Sequence, residues 1–134
     1  MVKEKIILAS KAHTKYLRIS PRKVRQVIDL VRGEEVPKAF SILGSLNKRA
    51  TRLVQKTLKS ALSNAQQNPE VKADELFISK INADSGPTLK RFRAAAMGRA
   101  TMIRHRTTHL FVELSKKEKS MPKPKKKNKV KKRK

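Results

Sequence analysis

The sequence predicts an α+β fold: three helices packed on a small antiparallel sheet of three strands, with a long extended β-hairpin projecting from the sheet. Apolar residues recur at helical spacing through the first half of the chain. Segments rich in β-branched and aromatic residues flank a long basic stretch in the second half, a composition typical of strands. At 134 residues, the chain is long enough for about one domain.

The first helix is predicted within the segment SPRKVRQVIDLVRG. Ser20 suits the N-cap, and Pro21 suits the first helical position because the N–H that proline lacks would have no helical partner there. Between Pro21 and the terminating Gly33, apolar side chains recur at helical spacing, at Val24, Val27, Ile28 and Val31.

Two more helices are predicted downstream. The second is short and ends near Gly44, with apolar positions Val36, Ala39, Phe40 and Leu43. The third begins at Asn47 and is closed by Asn68 and Pro69. It keeps helical spacing for about five turns, at Ala50, Leu53, Val54, Leu58, Ala61, Leu62 and Ala65.

The predicted sheet combines one clear strand pair with one weaker strand. ELFISKINA, residues 75–83, and THLFVEL, residues 108–114, have strand composition, and we expect them to pair antiparallel. In the second segment, Leu110, Val112 and Leu114 alternate with His109, Phe111 and Glu113. KAHTKYLRI, residues 11–19, has a weaker pattern and is expected to be the third strand. The helices would then pack on one face of this sheet.

The charge of the chain points to a polyanionic partner. Thirty-five Lys and Arg against ten Asp and Glu give a formal net charge of +25, far more than solubility requires. The longest apolar runs are too short for a spanning helix, and IILA, preceded by Glu4, is too short for a signal peptide. The chain lacks Cys, which fits a reducing compartment, so we expect a cytoplasmic protein.

The basic residues are divided between a domain and a tail. Residues 115–134 hold twelve Lys and Arg and one Glu, a net charge of +11, and are expected to form a disordered tail. The domain, residues 1–114, keeps the other +14 and is therefore basic in its own right.

The segment GPTLKRFRAAAMGRATMIRHR, residues 86–106, connects the two clear strands and contains no carboxylate. Its length is unusual for a loop in a compact domain. We expect residues 85–106 to form a ribbon that turns near AAAMG, with arms of roughly ten residues that reach about 30 Å. A partner must stabilise this ribbon, because an isolated two-stranded ribbon is marginal in water. A mobile basic loop and a buried helical fragment at 94–97 are the alternatives.

Two groups of cations are candidate nucleic-acid ligands. The first comprises the connection's basic residues, Lys90, Arg91, Arg93, Arg99, Arg104 and Arg106. The second lies at or before the start of the first helix, where cations oppose the helix dipole unless an anion docks; it comprises Arg18, Arg22, Lys23 and Arg25. Such charges also suit a merely solvated surface.

Catalytic and metal chemistry are not expected. The ten acids are scattered and form no acid and base pair. His105 and His109 would share one face of a strand, but no third metal ligand is near. Both histidines are better interpreted as facing RNA or as exposed, and we expect neither a metal nor a cofactor.

The segment from Lys90 to Leu114 resembles the signature of the universal large-subunit ribosomal protein family numbered twenty-two. The matching residues after Lys90 are Ala96, Met97, Gly98 and Arg99, then His109, Leu110, Val112 and Leu114 in register. Ala95 departs from the pattern, since the family usually has Arg or His there. The similarity also covers SPRKVRQVIDLVRG, NKRATRLVQKTLKSALSNA and GPTLKR, and so extends over residues 12–114.

This resemblance implies a structural component of the large ribosomal subunit and not an enzyme. Its globular domain would lie near the exit of the nascent-chain tunnel, and its hairpin would run through ribosomal RNA to the tunnel wall, near where macrolide antibiotics bind. Lys90, Arg91, Met97, Gly98 and Arg99 would lie at or near that wall. The implied partners are large-subunit ribosomal RNA, neighbouring ribosomal proteins and the nascent polypeptide, whereas DNA-compacting and membrane-binding roles are the rival interpretations.

Overall fold

A computed structural model describes residues 6–68 and 71–117. The described residues form three helices and five strands, which confirms the predicted α+β class. In chain order the elements are β1 (Ile6–Leu17), α1 (Pro21–Ile28), α2 (Val36–Ser45), α3 (Arg49–Gln66), β2 (Leu76–Ser85), β3 (Leu89–Ala94), β4 (Ala100–His105) and β5 (Thr108–Lys117). A short 3₁₀ turn occupies Ala73–Glu75, and Ala96–Gly98 lie in the turn between β3 and β4.

The main sheet has β5 at its centre, in the order β1-β5-β2, and both pairings are antiparallel. The predicted pairing of the two clear strands is therefore confirmed. Leu110, Val112 and Leu114 of β5 are fully buried, as their alternation with polar and half-buried neighbours predicts. One face of the sheet thus belongs to the core.

The helices cover that buried face. α1 contributes Val24, Val27 and Ile28 to the core, and α3 contributes the stripe Ala50, Val54, Leu58, Ala61 and Ala65, each buried to at least 97%. Apolar burial on this scale is the main stabilising contribution to a small domain. Exposed Lys and Arg side chains lie on the opposite face of α3, as the spacing predicts.

Some boundaries differ from those that the sequence predicts. α1 ends at Ile28 and the chain continues in turns to Gly33, whose positive φ of 79° ends the segment. β1 starts at Ile6, five residues before the predicted strand. β5 continues to Lys117, so its last three residues belong to the sheet, although we assigned them to the tail. Residues 118–134 lie outside the described residues, and their predicted disorder stays a prediction.

Candidate nucleic-acid interface

The connection between β2 and β5 forms the predicted hairpin. β3 and β4 pair antiparallel from Leu89 opposite His105 to Ala94 opposite Ala100. They form a two-stranded sheet of their own, because the pairing with β2 and β5 stops near Gly86, whose N–H donates to the Thr107 carbonyl at 2.9 Å. The paired arms contain six residues each, fewer than the ten we expected.

The hairpin ends in a tight turn at Met97 and Gly98. Their φ angles are 60° and 67°, the pair of left-handed conformations that a type I′ turn requires. Glycine adopts this conformation freely, but Met97 does so at a cost of about 1–2 kcal/mol. The backbone N–H of Ala95 donates to the Arg99 carbonyl at 2.8 Å. Since that contact is made by the backbone, the departure from the family pattern at Ala95 leaves the turn intact.

The hairpin exposes apolar side chains that a partner would cover. Met97 is 93% exposed and Phe92 is 71% exposed, whereas Met102 and Ile103 are 45% and 38% exposed. Every residue from Lys90 to Arg106 is exposed. The alternative of a buried helical fragment at 94–97 is therefore wrong. A two-stranded ribbon by itself is only marginally stable in water, so contacts with a partner would have to stabilise it.

A basic concavity lies at the root of the hairpin. Its volume is about 710 Å³, and the described residues that line it include six Lys and Arg and no carboxylate. The cations are Arg18, Lys23, Arg49, Arg91, Arg104 and Arg106. They come from the end of β1, the starts of α1 and α3, both arms of the hairpin and the link to β5, so the tertiary fold brings distant segments together.

Repulsion among these cations is not relieved within the described residues. Their side chains form no ion pair there, since the ion pairs of residues 6–68 and 71–117 link Arg32 to Asp29, Lys38 to Glu34 and Lys116 to Glu75. Lys90 also lies directly opposite Arg104 in the hairpin, an unfavourable like-charge pair. An anion in the concavity would stabilise this arrangement.

The start of α1 is not capped by a side chain, although Ser20 stands at the N-cap position. Its first turn contains no acid, and Ser20 makes no side-chain capping hydrogen bond. Helix N-termini favour anions because unpaired N–H groups and the helix dipole are both positive there. Lys23 and Ser20 of this turn line the concavity, which therefore joins a helix end to the arginine side chains of the hairpin.

The structure gathers only part of the predicted set of ligands. Lys90, Arg93 and Arg99 lie along the exposed hairpin, and Arg22 is exposed in the first turn of α1, but none of these four lines the concavity. Arg49 lines the concavity but is not among the ligands predicted from the sequence. Its position at the start of α3, where a cation again replaces the expected acid, is the signal that would have found it.

Arg25 makes contacts within the chain. Its Nε and Nη2 atoms donate to the Ala83 carbonyl at 3.1 and 2.9 Å, and so tie α1 to β2. It lines a different groove, which also contains Asp29 and Asp84. This side chain thus has a structural role, and its contact with RNA stays a prediction.

His105 and His109 do not share a strand, so the expectation that they would is wrong. His105 ends β4, whereas His109 belongs to β5 and its Nδ1 accepts a hydrogen bond of 3.1 Å from the Tyr16 N–H. Among the described residues, no group of three potential metal ligands converges. Far from the concavity, the hydrogen bond to Glu34 raises the pKa of Lys38 above its ordinary value of 10.5.

Of the helices described, none has the length and apolar character needed to span a bilayer.

Together these features define a class: a small, strongly basic α+β protein with an exposed hairpin and a cation-lined concavity at its root. Residues 12–115 match the family Ribosomal protein L22p/L17e. Large ribosomal subunit protein uL22 of Halothermothrix orenii is 46% identical over 110 residues, which cover 82% of this chain and 97% of the relative. Its counterpart in Rubrobacter xylanophilus is 50% identical over 104 residues, covering 78% and 82%.

The chain therefore belongs to the ribosomal protein L22p/L17e family, as the signature in the segment from Lys90 to Leu114 indicates. The family consists of structural proteins of the ribosome and not of enzymes. This membership agrees with the scattered acids and the strong positive charge of the chain.

Proposed function

We propose that this protein is a structural constituent of the large ribosomal subunit in the cytoplasm, where it binds ribosomal RNA and supports subunit assembly and translation. The observation that carries the proposal is the basic concavity, in which six cations from distant segments meet without a carboxylate. Phosphates of the RNA backbone would supply the missing counter-charge and release bound counterions. Arginine suits this role because its planar guanidinium also stacks on bases.

The hairpin would extend this contact into the RNA. Its exposed Phe92, Met102 and Ile103 would lose their contact with water, while Lys90 and Arg93 would meet phosphates. The small residues Ala94 to Ala96 and Gly98 permit close approach of backbone to RNA near the turn. RNA packed on both faces would also supply the stability that an isolated ribbon lacks.

The turn of the hairpin would form part of the wall of the nascent-peptide tunnel. Met97 is the most exposed of the large apolar residues in the described part of the chain, and it lies in the left-handed turn. Lys90, Arg91, Gly98 and Arg99 complete the proposed wall segment. Nascent polypeptide and neighbouring ribosomal proteins are then the protein partners.

Cross-linking from single cysteines tests this proposal directly, because the natural chain contains none. Met97→Cys would be labelled with a photoreactive group and incorporated into large subunits that carry a stalled, radiolabelled nascent chain. We expect a cross-link from position 97 to the nascent chain and one from Arg104→Cys, which lines the basic concavity, to ribosomal RNA. Lys59→Cys, exposed on α3, is the matched control. If position 97 in assembled subunits cross-links to the nascent chain only as often as position 59 does, the tunnel assignment is wrong.

The rival roles make different predictions. A DNA-compacting protein would be released from its native complex by DNase and not by RNase, because charge alone does not distinguish the two nucleic acids. A membrane-binding protein would keep its affinity for anionic vesicles in the presence of competing RNA. Release by RNase alone, with loss of vesicle binding when RNA is added, is the result that the proposed function predicts.

A further inference from the structure

The face of the main sheet that points away from the helices carries a cluster of rings. His13 of β1 lies opposite Phe111 of β5, with ring centroids 6.0 Å apart, and Phe111 lies opposite Asn82 of β2. His109 lies 6.3 Å from His13 and 4.9 Å from Tyr16, in edge-to-face arrangements. These four side chains, Tyr16, His109, His13 and Phe111, are called the ring cluster below.

Tyr16 is held in the ring cluster by a strained backbone. Its φ of 57° is unusual for a non-glycine residue, and the register of β1 against β5 shifts between Thr14 and Leu17. In this conformation the Tyr16 N–H donates to His109 Nδ1 at 3.1 Å, and Tyr16 remains 63% exposed. Strain of this kind persists where the surrounding structure enforces it, and it often marks a functional position.

Cations border the ring cluster. Lys80 places its Nζ 5.9 Å from the centroid of Phe111, and Lys11 and Lys15 are exposed on β1. Glu113 lies between Lys11 and Lys80 in register, so its charge is offset by both neighbours. Asp84, exposed on β2, lies opposite His109 and is a second acid on this face. The surface therefore combines open rings with a border of three lysines and two carboxylates, a small excess of positive charge.

The lysines of this face favour a nucleic acid over a second basic protein surface as its partner. A second copy of this chain, or its own basic residues after 117, would bring further positive charge against the lysines. A single-stranded nucleic acid would bring planar bases for the rings and phosphates for the lysines, a combination typical of sheets that bind unpaired strands. Arg18 and Arg106, which line the basic concavity, lie two residues after Tyr16 and three before His109, so one strand of RNA can meet both surfaces.

We propose that the ring cluster is a stacking platform for unpaired bases of RNA, with Tyr16 as its main contact and Lys80 and Lys15 as phosphate contacts. The inference rests on the proposed function, since it assumes an RNA partner. It adds a mode of contact that differs from the basic concavity: the platform recognises single-stranded segments, whereas the concavity binds phosphates of any RNA.

Intrinsic fluorescence gives a direct test, because Tyr16 is the chain's single Tyr and the chain contains no Trp. The full-length protein would be titrated with a short single-stranded oligoadenylate and, separately, with a short RNA duplex. Binding would be followed by the anisotropy of labelled RNA, and stacking by Tyr16 emission corrected for absorption. We expect both RNAs to bind and only the single strand to quench Tyr16.

The outcomes separate this inference from the proposed function. If both RNAs bind and neither changes Tyr16 emission, the stacking platform is refuted while RNA binding stands; a protein partner would then be the better occupant. Equal quenching by the duplex would also refute it, because paired bases offer no free face along the helix. If neither RNA binds, the proposed function fails as well.

Variants at position 16 distinguish the loss of the aromatic ring from a loss of folding. Tyr16→Phe keeps a ring and should bind the single strand with unchanged affinity. Tyr16→Gly removes the ring and also suits the positive φ, so the thermal midpoint should not fall, yet single-strand affinity should drop about tenfold. Leu30→Ala, an exposed apolar site outside the sheet, is the control and should change neither. Unchanged single-strand affinity in Tyr16→Gly would overturn the proposal.

Discussion

Removing two cations from the basic concavity should weaken RNA binding in a way that depends on salt. Arg18→Gln with Lys23→Gln removes one charge at the end of β1 and one in the first turn of α1. Both residues are exposed, and within the described part of the chain neither forms an ion pair, so the fold should be unaffected to within about 0.5 kcal/mol.

The size of the effect follows from counterion release. Each phosphate neutralised contributes about −0.7 to the slope of log K against log salt for a single strand, so six lining cations contribute about −4 and the two removed contribute about −1.4. The variant should therefore bind about 25-fold more weakly at about 0.1 M salt and almost normally near 1 M.

The assay is fluorescence anisotropy of a labelled fragment of large-subunit RNA at four or more salt concentrations. The control is Lys56→Gln with Lys59→Gln, which has the same net charge but removes exposed lysines of α3 that do not line the concavity. Its slope should stay close to that of the parent. Equal slopes for the two double variants would refute the reasoning, because net charge alone would then explain the affinity.

Three further predictions concern stability. In Gly86→Ala the new Cβ would clash with Thr107 Oγ1, and thermal denaturation should show a free energy of unfolding lower by about 2 kcal/mol or more. In Gly44→Ala the new Cβ meets nothing within 4 Å, and the same measurement should show a rise of about 0.5–1 kcal/mol. Gly98→Ala, at a φ of +67°, should destabilise the hairpin by about 1 kcal/mol, seen as faster amide exchange in β3 and β4 with an unchanged thermal midpoint. Arg25→Ala should cost about 1–2 kcal/mol in urea denaturation by removing two hydrogen bonds, and no loss there would contradict its structural role.

Local sequence was enough to predict most of the elements. Pro21 and Gly33 mark the two ends of the first helical segment because proline fixes a helical φ at the start and glycine readily adopts the positive φ that ends it. The alternation in β5 predicted its buried face, since side chains of a strand point to opposite sides. A connection of about twenty residues without an acid predicted the hairpin, because a long charged segment has no place in a core.

The roles of some residues depend on tertiary contacts, which the local sequence pattern does not predict. Arg25 and Lys23 carry the same charge in the same part of α1. Arg25 donates to the Ala83 carbonyl, 58 residues away, whereas Lys23 lines the concavity. Arg49 joins the candidate site because α3 begins beside the hairpin root. Tyr16 lies in a segment with a weak strand pattern, and in its left-handed conformation its N–H donates to His109, 93 residues away.

The central claim is tested most directly by sedimentation of native cell extract through a sucrose gradient in high salt, with immunodetection of this protein. The account predicts that the protein migrates with the large ribosomal subunit, and that RNase abolishes this migration while DNase does not. Migration at the top of the gradient, or with DNA, would contradict it.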